Sequence, residues 1–191
     1  MLSKIESYFK ESARVKAGLT NQANTVSQIA ALLEKVSRAG GTIYSCGNGG
    51  SACDSMHLTE ELVAIYYRNR PGIRAQHFQD AGTLTCWSND REFEGVFERQ
   101  VETFLTKNDC LLCFTTSGNS KNILRAIAAA TRIGAPTVAL TGKGGGAAKA
   151  QATISLVVDS DTTSHIQEAH IAVVHMLCEL VETSLFPNAV K

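Results

Sequence analysis

The sequence predicts an α/β fold: a single doubly wound domain, with a central parallel sheet flanked by helices, an N-terminal helical pair and a long C-terminal helix. Three observations predict it. Apolar runs without alternation occur along the chain, as expected of strands covered on both faces. Each of three such runs leads into a glycine- or serine-rich loop and then a helical pattern, the order of βαβ units. The 191 residues fit one domain of ordinary size, with no composition shift to split them, so residues 1–191 are read as one unit.

The elements follow in order. Ile5, Phe9, Ala13 and Ala17 recur near helical spacing, and a second pattern runs through Val26, Ile29, Ala30, Leu33 and Val36 to the breaker pair Gly40-Gly41. A strand over 42–45 feeds Cys46-Gly47-Asn48-Gly49-Gly50-Ser51 and a helix to about Ala64. Asn69-Arg70-Pro71-Gly72 reads as a turn, 73–78 as a strand, and 81–88 and 93–106 as helices. The apolar strand 110–114 is followed by Thr115-Thr116-Ser117-Gly118-Asn119-Ser120 and a helix that stops at Gly134. Strand 137–140 leads to Thr141-Gly142-Lys143-Gly144-Gly145-Gly146, strand 154–158 is the last, and a helix covers about 163–185.

Composition narrows the function classes. Eighteen acids balance 18 bases, which removes the basic excess expected of a nucleic-acid binder. No apolar run approaches the roughly 18 residues of a membrane span. Met1-Leu2-Ser3-Lys4-Ile5-Glu6 has charges at once and no apolar core of a secretory signal. Six cysteines in a chain of this length are read as reduced structural thiols of a cytoplasmic enzyme. Cys110 and Cys113 form C-x-x-C on a strand, where residues three apart face opposite sides.

The loops carry the first chemistry. Gly47-Asn48-Gly49-Gly50-Ser51-Ala52 satisfies a permissive dinucleotide pattern, but 66–69 offers no acid for a ribose. The loop still presents backbone N–H groups and the Ser51 hydroxyl to an anion at a helix N-terminus. Residues 115–120 place four hydroxyls and a glycine between a buried strand and a helix start, suited to ringing a phosphate with neutral donors. The alternative is an ordinary N-cap at Ser120. The glycines after Lys143 lack P-loop spacing and read as turn chemistry.

His57 and Glu61, four apart on one helix face, form a zinc half-site or a surface pair; Glu60 points about 100° away. His175 sits on a helix that is apolar nearly all round, so that helix must be buried in a core or a subunit interface.

Together these motifs resemble a known family. Ser45-Cys46-Gly47-Asn48-Gly49-Gly50-Ser51, Met56-His57, Glu60-Glu61-Leu62 and Ser88-Asn89-Asp90 resemble the sedoheptulose 7-phosphate (phosphoheptose) isomerases. Thr116-Ser117-Gly118-Asn119-Ser120, Leu140-Thr141-Gly142-Lys143 and Ile166-Gln167-Glu168 with His175 extend the resemblance over nearly the whole chain. That family is the single-domain branch of the sugar isomerase (SIS) fold. The resemblance implies a cytosolic homotetramer, with residues 1–40 used in oligomer packing, that makes a precursor of lipopolysaccharide core heptose. It implies sugar-phosphate contacts from Asn48, Gly49, Gly50, Ser51, Glu61, Asn89, Asp90, Thr115, Thr116, Ser117, Ser120 and Gln167. It also implies one zinc per subunit, held by His57, Glu61, Gln167 and His175, and a catalytic pair Glu61 and His175.

Three positions depart from the pattern. Ile65 and His165 stand where the family usually has arginines, and Gly144 stands where it usually has an acid. A sister branch of the fold is a non-enzymatic adaptor that binds the bacterial replication initiator protein. Residues 177–187 and Asn89-Asp90-Arg91 resemble that branch, whereas His57, Glu61 and His175 favour the enzyme. Gln167 and His175, eight apart, are separated by about 12 Å of rise and roughly 80° on one straight helix. Either the helix begins after Gln167, or the two ligands come from different copies in a composite site. The expected partners are therefore a sugar-phosphate substrate and further copies of the chain, with neither nucleic acid nor membrane.

Overall fold

The computed structural model describes residues 1–190; Lys191, the last residue of the expected domain, lies outside the described residues. Helices α1 (Leu2–Gly18) and α2 (Ala23–Arg38) are joined by a 3-10 turn. Then come β1 (Ile43–Gly47), α3 (Gly50–Val63), β2 (Ala75–His77), α4 (Ala81–Asp90) and α5 (Val96–Phe104). The chain continues through β3 (Cys110–Thr115), α6 (Lys121–Ile133), β4 (Thr137–Thr141), α7 (Ala148–Gln151), β5 (Ile154–Val157) and α8 (Thr163–Leu185).

All four strand pairings are parallel, in the order β2-β1-β3-β4-β5. The order reverses between β1 and β3, so the loops after these two strands flank the crevice where open α/β sheets take ligands. Every residue of β1, β3 and β4 is buried, which explains their lack of alternation. Along β3, Cys110, Leu112 and Phe114 pack with Leu33, Leu58 and Leu177, from α2, α3 and α8. Leu111 and Cys113 pack on the other face with Phe97 and Ile127, from α5 and α6. Each fully buried Leu, Ile or Phe of these layers contributes about 1.5–3 kcal/mol.

The structure corrects or extends the sequence reading at four places. Strand β2 is shorter than 73–78, because the Ile73 N–H donates to the Leu62 carbonyl at the end of α3 and not to the sheet. The apolar stripe of α1 does not face the core: Ile5 and Phe9 are exposed, and Ser12 and Val15 are the buried positions. The helix docks instead through Tyr8 and Ser12, whose hydroxyls donate to Glu168. Cys53 and Cys86 are exposed and are not core thiols. Cys46 lies across the β1–β3 register from Cys113, with sulfurs 3.7 Å apart, while Cys110 packs on the opposite face.

Candidate active site

Helix α3 begins directly after the β1 loop, with Gly49 (φ 57°) at its N-cap, and no side chain caps it. About two and three turns along it, His57 and Glu61 are carried from the loop toward the middle of α8. There His57 Nε2 lies 3.3 Å from Glu61 Oε1 and 3.2 Å from His175 Nε2. One ligand atom from each of the three residues falls within 4.8 Å of the others, and all three are half-buried. Glu60 reaches only 3.9 Å from His57 and is largely exposed, as its direction on the helix requires.

This donor set fits a tetrahedral metal ion. Zinc–ligand bonds of about 2.05 Å place two tetrahedral ligands about 3.3 Å apart. The two contacts at His57 Nε2 have that length, and imidazole nitrogen with carboxylate oxygen is ordinary zinc chemistry.

Gln167 is placed differently. Helix α8 begins at Thr163, so Gln167 and His175 belong to one continuous helix, which excludes a later helix start. Gln167 lies level with the head of α3: a Cβ on Gly50 would stand 2.5 Å from its Nε2. It shares with Gly50, Cys53, Asp54, His57 and Ser164 a cavity of about 390 Å³. One chain thus gathers three of the four expected ligands and holds Gln167 beside the first loop, about two helical turns away.

The two neutral loops meet across the crevice. Asn48, after β1, and Asn122, in the first turn of α6 after β3, exchange reciprocal amide hydrogen bonds of 2.9 Å. Ser120 occupies the N-cap position of α6 but makes no side-chain cap, so the ordinary capping role does not use its hydroxyl. Thr115 Oγ1 accepts from the Gly118 N–H and Ser117 Oγ from the Asn119 N–H. Gly118 (φ 65°) closes against the Lys143 loop, where a Cβ would stand 1.9 Å from the Gly145 carbonyl oxygen. This is the turn role expected of that loop. Thr116 is half-buried, and Ser51 is buried in the first turn of α3. Asn89 and Asp90 end the exposed α4, where the Asn89 amide donates to Asp90 Oδ1 and the Cys86 thiol to Asp90 Oδ2, hydrogen bonds that do not run into the cavity.

Two residues that the sequence reading passed over belong to the site. Asp54, one turn before His57, is buried in the cavity with Oδ2 lacking a hydrogen bond, and burial raises its carboxyl to about 6 against the pull of His57. Its spacing to His57 was the available signal. Asn122 had none, because its role depends on a partner 74 residues away. At the departures, Ile65 is exposed just beyond α3, and Gly144 takes φ 78° in the turn after β4. His165 is buried against the Tyr8 ring, at 4.4 Å between centroids, and 3.6 Å from Glu168.

The SIS domain family model matches residues 7–142. A phosphoheptose isomerase of Akkermansia muciniphila is 46% identical over 169 residues, 88% of this chain and 89% of that one. This chain belongs to the SIS-domain phosphoheptose isomerase family. A second member, from Pectobacterium atrosepticum, is 42% identical over 185 residues, covering 95% of this chain and 96% of its own. The structure of a phosphoheptose isomerase from Francisella tularensis superposes with a TM-score of 0.92 at 35% identity, over 95% of this chain and 98% of that one. Among the described residues no helix is long and apolar enough to cross a membrane.

Proposed function

We propose that this chain is an aldose–ketose isomerase that converts D-sedoheptulose 7-phosphate to D-glycero-D-manno-heptose 7-phosphate in the cytoplasm, for the heptose of lipopolysaccharide core. The observation that carries the reading is the His57–Glu61–His175 cluster beside two neutral anion loops, in a family of this chemistry. The phosphate is received by backbone N–H groups of Gly49 and Gly50 and by the hydroxyls of Ser51, Thr115, Thr116, Ser117 and Ser120, with the dipoles of α3 and α6 favouring its charge. Asn48, Gln167, Asn89 and Asp90 contact the sugar. Relatives that match over most of the chain carry the isomerase name, which favours the enzyme over the initiator-binding alternative.

Glu61 removes the C1 proton of the open-chain ketose, and the proton returns at C2 of the resulting enediolate. His175 moves protons at the hydroxyl oxygens, in ring opening or between O1 and O2. His57, Glu61 and His175, with Gln167 completing the set, would hold a zinc ion, which when bound would supply polarisation of the sugar oxygens. Because Gln167 and His175 of one helix stand about 12 Å apart in rise, the fourth ligand is assigned to a second copy in a homotetramer. Exposed Leu2, Ile5 and Phe9 on α1, with Met176 and Leu180 on α8, support packing through the N-terminal helices.

Purified protein incubated with sedoheptulose 7-phosphate, with and without a chelator, tests the reading by NMR. Chelator-sensitive formation of the aldose, restored by zinc, is expected. Absence of turnover together with binding to the replication initiator would transfer the assignment to the adaptor.

A further inference from the structure

Helix α3 ends at Val63 without a glycine cap, so the carbonyls of its last turn need other donors. Arg70 provides them. Its Nη2 donates to the Glu61 carbonyl at 2.8 Å, and its Nη1 donates to those of Leu62 at 2.8 Å and Ala64 at 3.3 Å. Its Nε donates to Glu182 Oε1 at 2.8 Å, and the two charged side chains are each 1% exposed. The second Glu182 oxygen accepts the backbone N–H groups of Tyr67 and Arg68. A cation at a helix C-terminus is favourable, and a planar guanidinium fork fixes direction as well as distance.

Glu182 follows His175 by seven residues on α8, two turns along and close to the same face. One end of the pair therefore holds the backbone of Glu61, and the other holds the helix that carries His175. Apart from the site contacts of His57 with His175 and Gly50 with Gln167, α3 and α8 meet in the apolar cluster that includes Leu58, Leu62, Val174 and Leu177, which is without direction. They bury surface but do not set register.

We propose that the buried Arg70–Glu182 pair is a positioning device that sets Glu61 and His57 on α3 against His175 on α8. This inference rests on the proposed reaction for its kinetic readout, but not for its structural one. Removing one partner strands the other charge, so two gentler variants serve. Arg70→Lys keeps the charge and loses the fork. Arg70→Met with Glu182→Leu replaces the pair by apolar groups of similar volume, an exchange that buried ion pairs often tolerate.

For Arg70→Lys, kcat per folded molecule should fall by about 10²-fold, the penalty of an ångström-scale misplacement, with KM within about twofold of wild type. Folded fraction is read by circular dichroism. A crystal structure of the double variant should show the His57–His175 nitrogens moved from their 3.2 Å separation. Wild-type kcat in Arg70→Lys, a loss that only tracks the unfolded fraction, or an unmoved pair in the double variant would each overturn the inference. An inactive wild-type protein would instead sink the proposed reaction, and the crystallographic comparison would then decide the positioning role alone.

Discussion

His57 Nε2 stands 3.2 Å from His175 Nε2, although the two residues are 118 positions apart. Two imidazole nitrogens at that distance share a proton or a cation, and Glu61 Oε1 at 3.3 Å from His57 adds the negative charge that favours a cation. The contact exists because α3 and α8 cover the same face of the sheet and run alongside one another, Gly50 level with Gln167 and His57 level with His175.

Replacing the base should stop the chemistry and leave the fold. Glu61→Gln is expected to lower kcat by about 10²–10⁴-fold and to abolish exchange of the substrate C1 proton with solvent. NMR in D₂O measures both. Unchanged exchange would remove Glu61 from the role of base.

Metal content and activity should fall together. Elemental analysis of the purified protein is expected to find one zinc per subunit, and His57→Ala should lose the metal and the activity in parallel. A His57→Ala protein that binds zinc as tightly as wild type would show that the cluster is not the metal site.

Two glycines should respond oppositely to alanine. At Gly50 the added methyl meets only the movable amide of Gln167, so Gly50→Ala should shift Tm by less than about 4 °C while impairing turnover. At Gly118 it meets the Gly145 backbone at a positive φ, so Gly118→Ala should cost more than about 2 kcal/mol. Thermal melts and initial rates on both variants distinguish the two effects. An unaltered rate in Gly50→Ala would detach Gln167 from the site.

His170 makes stability depend on pH. It is fully buried, and desolvation lowers its pKa from 6.5 to about 4, against a contact to the Thr141 carbonyl oxygen. Between those values the unfolded chain binds a proton that the native state refuses, so stability falls as pH drops through the window, by on the order of 3 kcal/mol. Asp54, raised to about 6, acts with the opposite sign there. Denaturant titrations at pH 7 and pH 4.5 should therefore show a smaller acid loss in His170→Gln than in wild type. Equal losses would exclude His170 as the source.

Mixing inactive variants should restore nothing. Because Glu61 and His175 meet within one chain, every site in a Glu61→Gln and His175→Gln hybrid carries one of the two changes. Recovered activity after subunit exchange would mean that His175 serves the site of another copy. The informative partner is Gln167: a Gln167→Ala chain mixed with Glu61→Gln should recover part of the activity if Gln167 crosses between copies.

What the sequence by itself determined is local and periodic. Helical spacing put His57 and Glu61 on one face, and unalternating strands announced a buried parallel sheet. Gly134 ended α6, and glycine and serine loops marked the carboxyl ends of the strands. These signals come from interactions within a few residues. Tertiary structure decided the rest, because strand register and helix packing bring together residues that no local pattern relates. It joined His175 to the pair, set Gln167 against Gly50, bonded Asn48 to Asn122, and brought Cys46 beside Cys113. It also turned the apolar stripe of α1 outward, since the polar contacts of Tyr8 and Ser12 with Glu168 fix that helix by its other side.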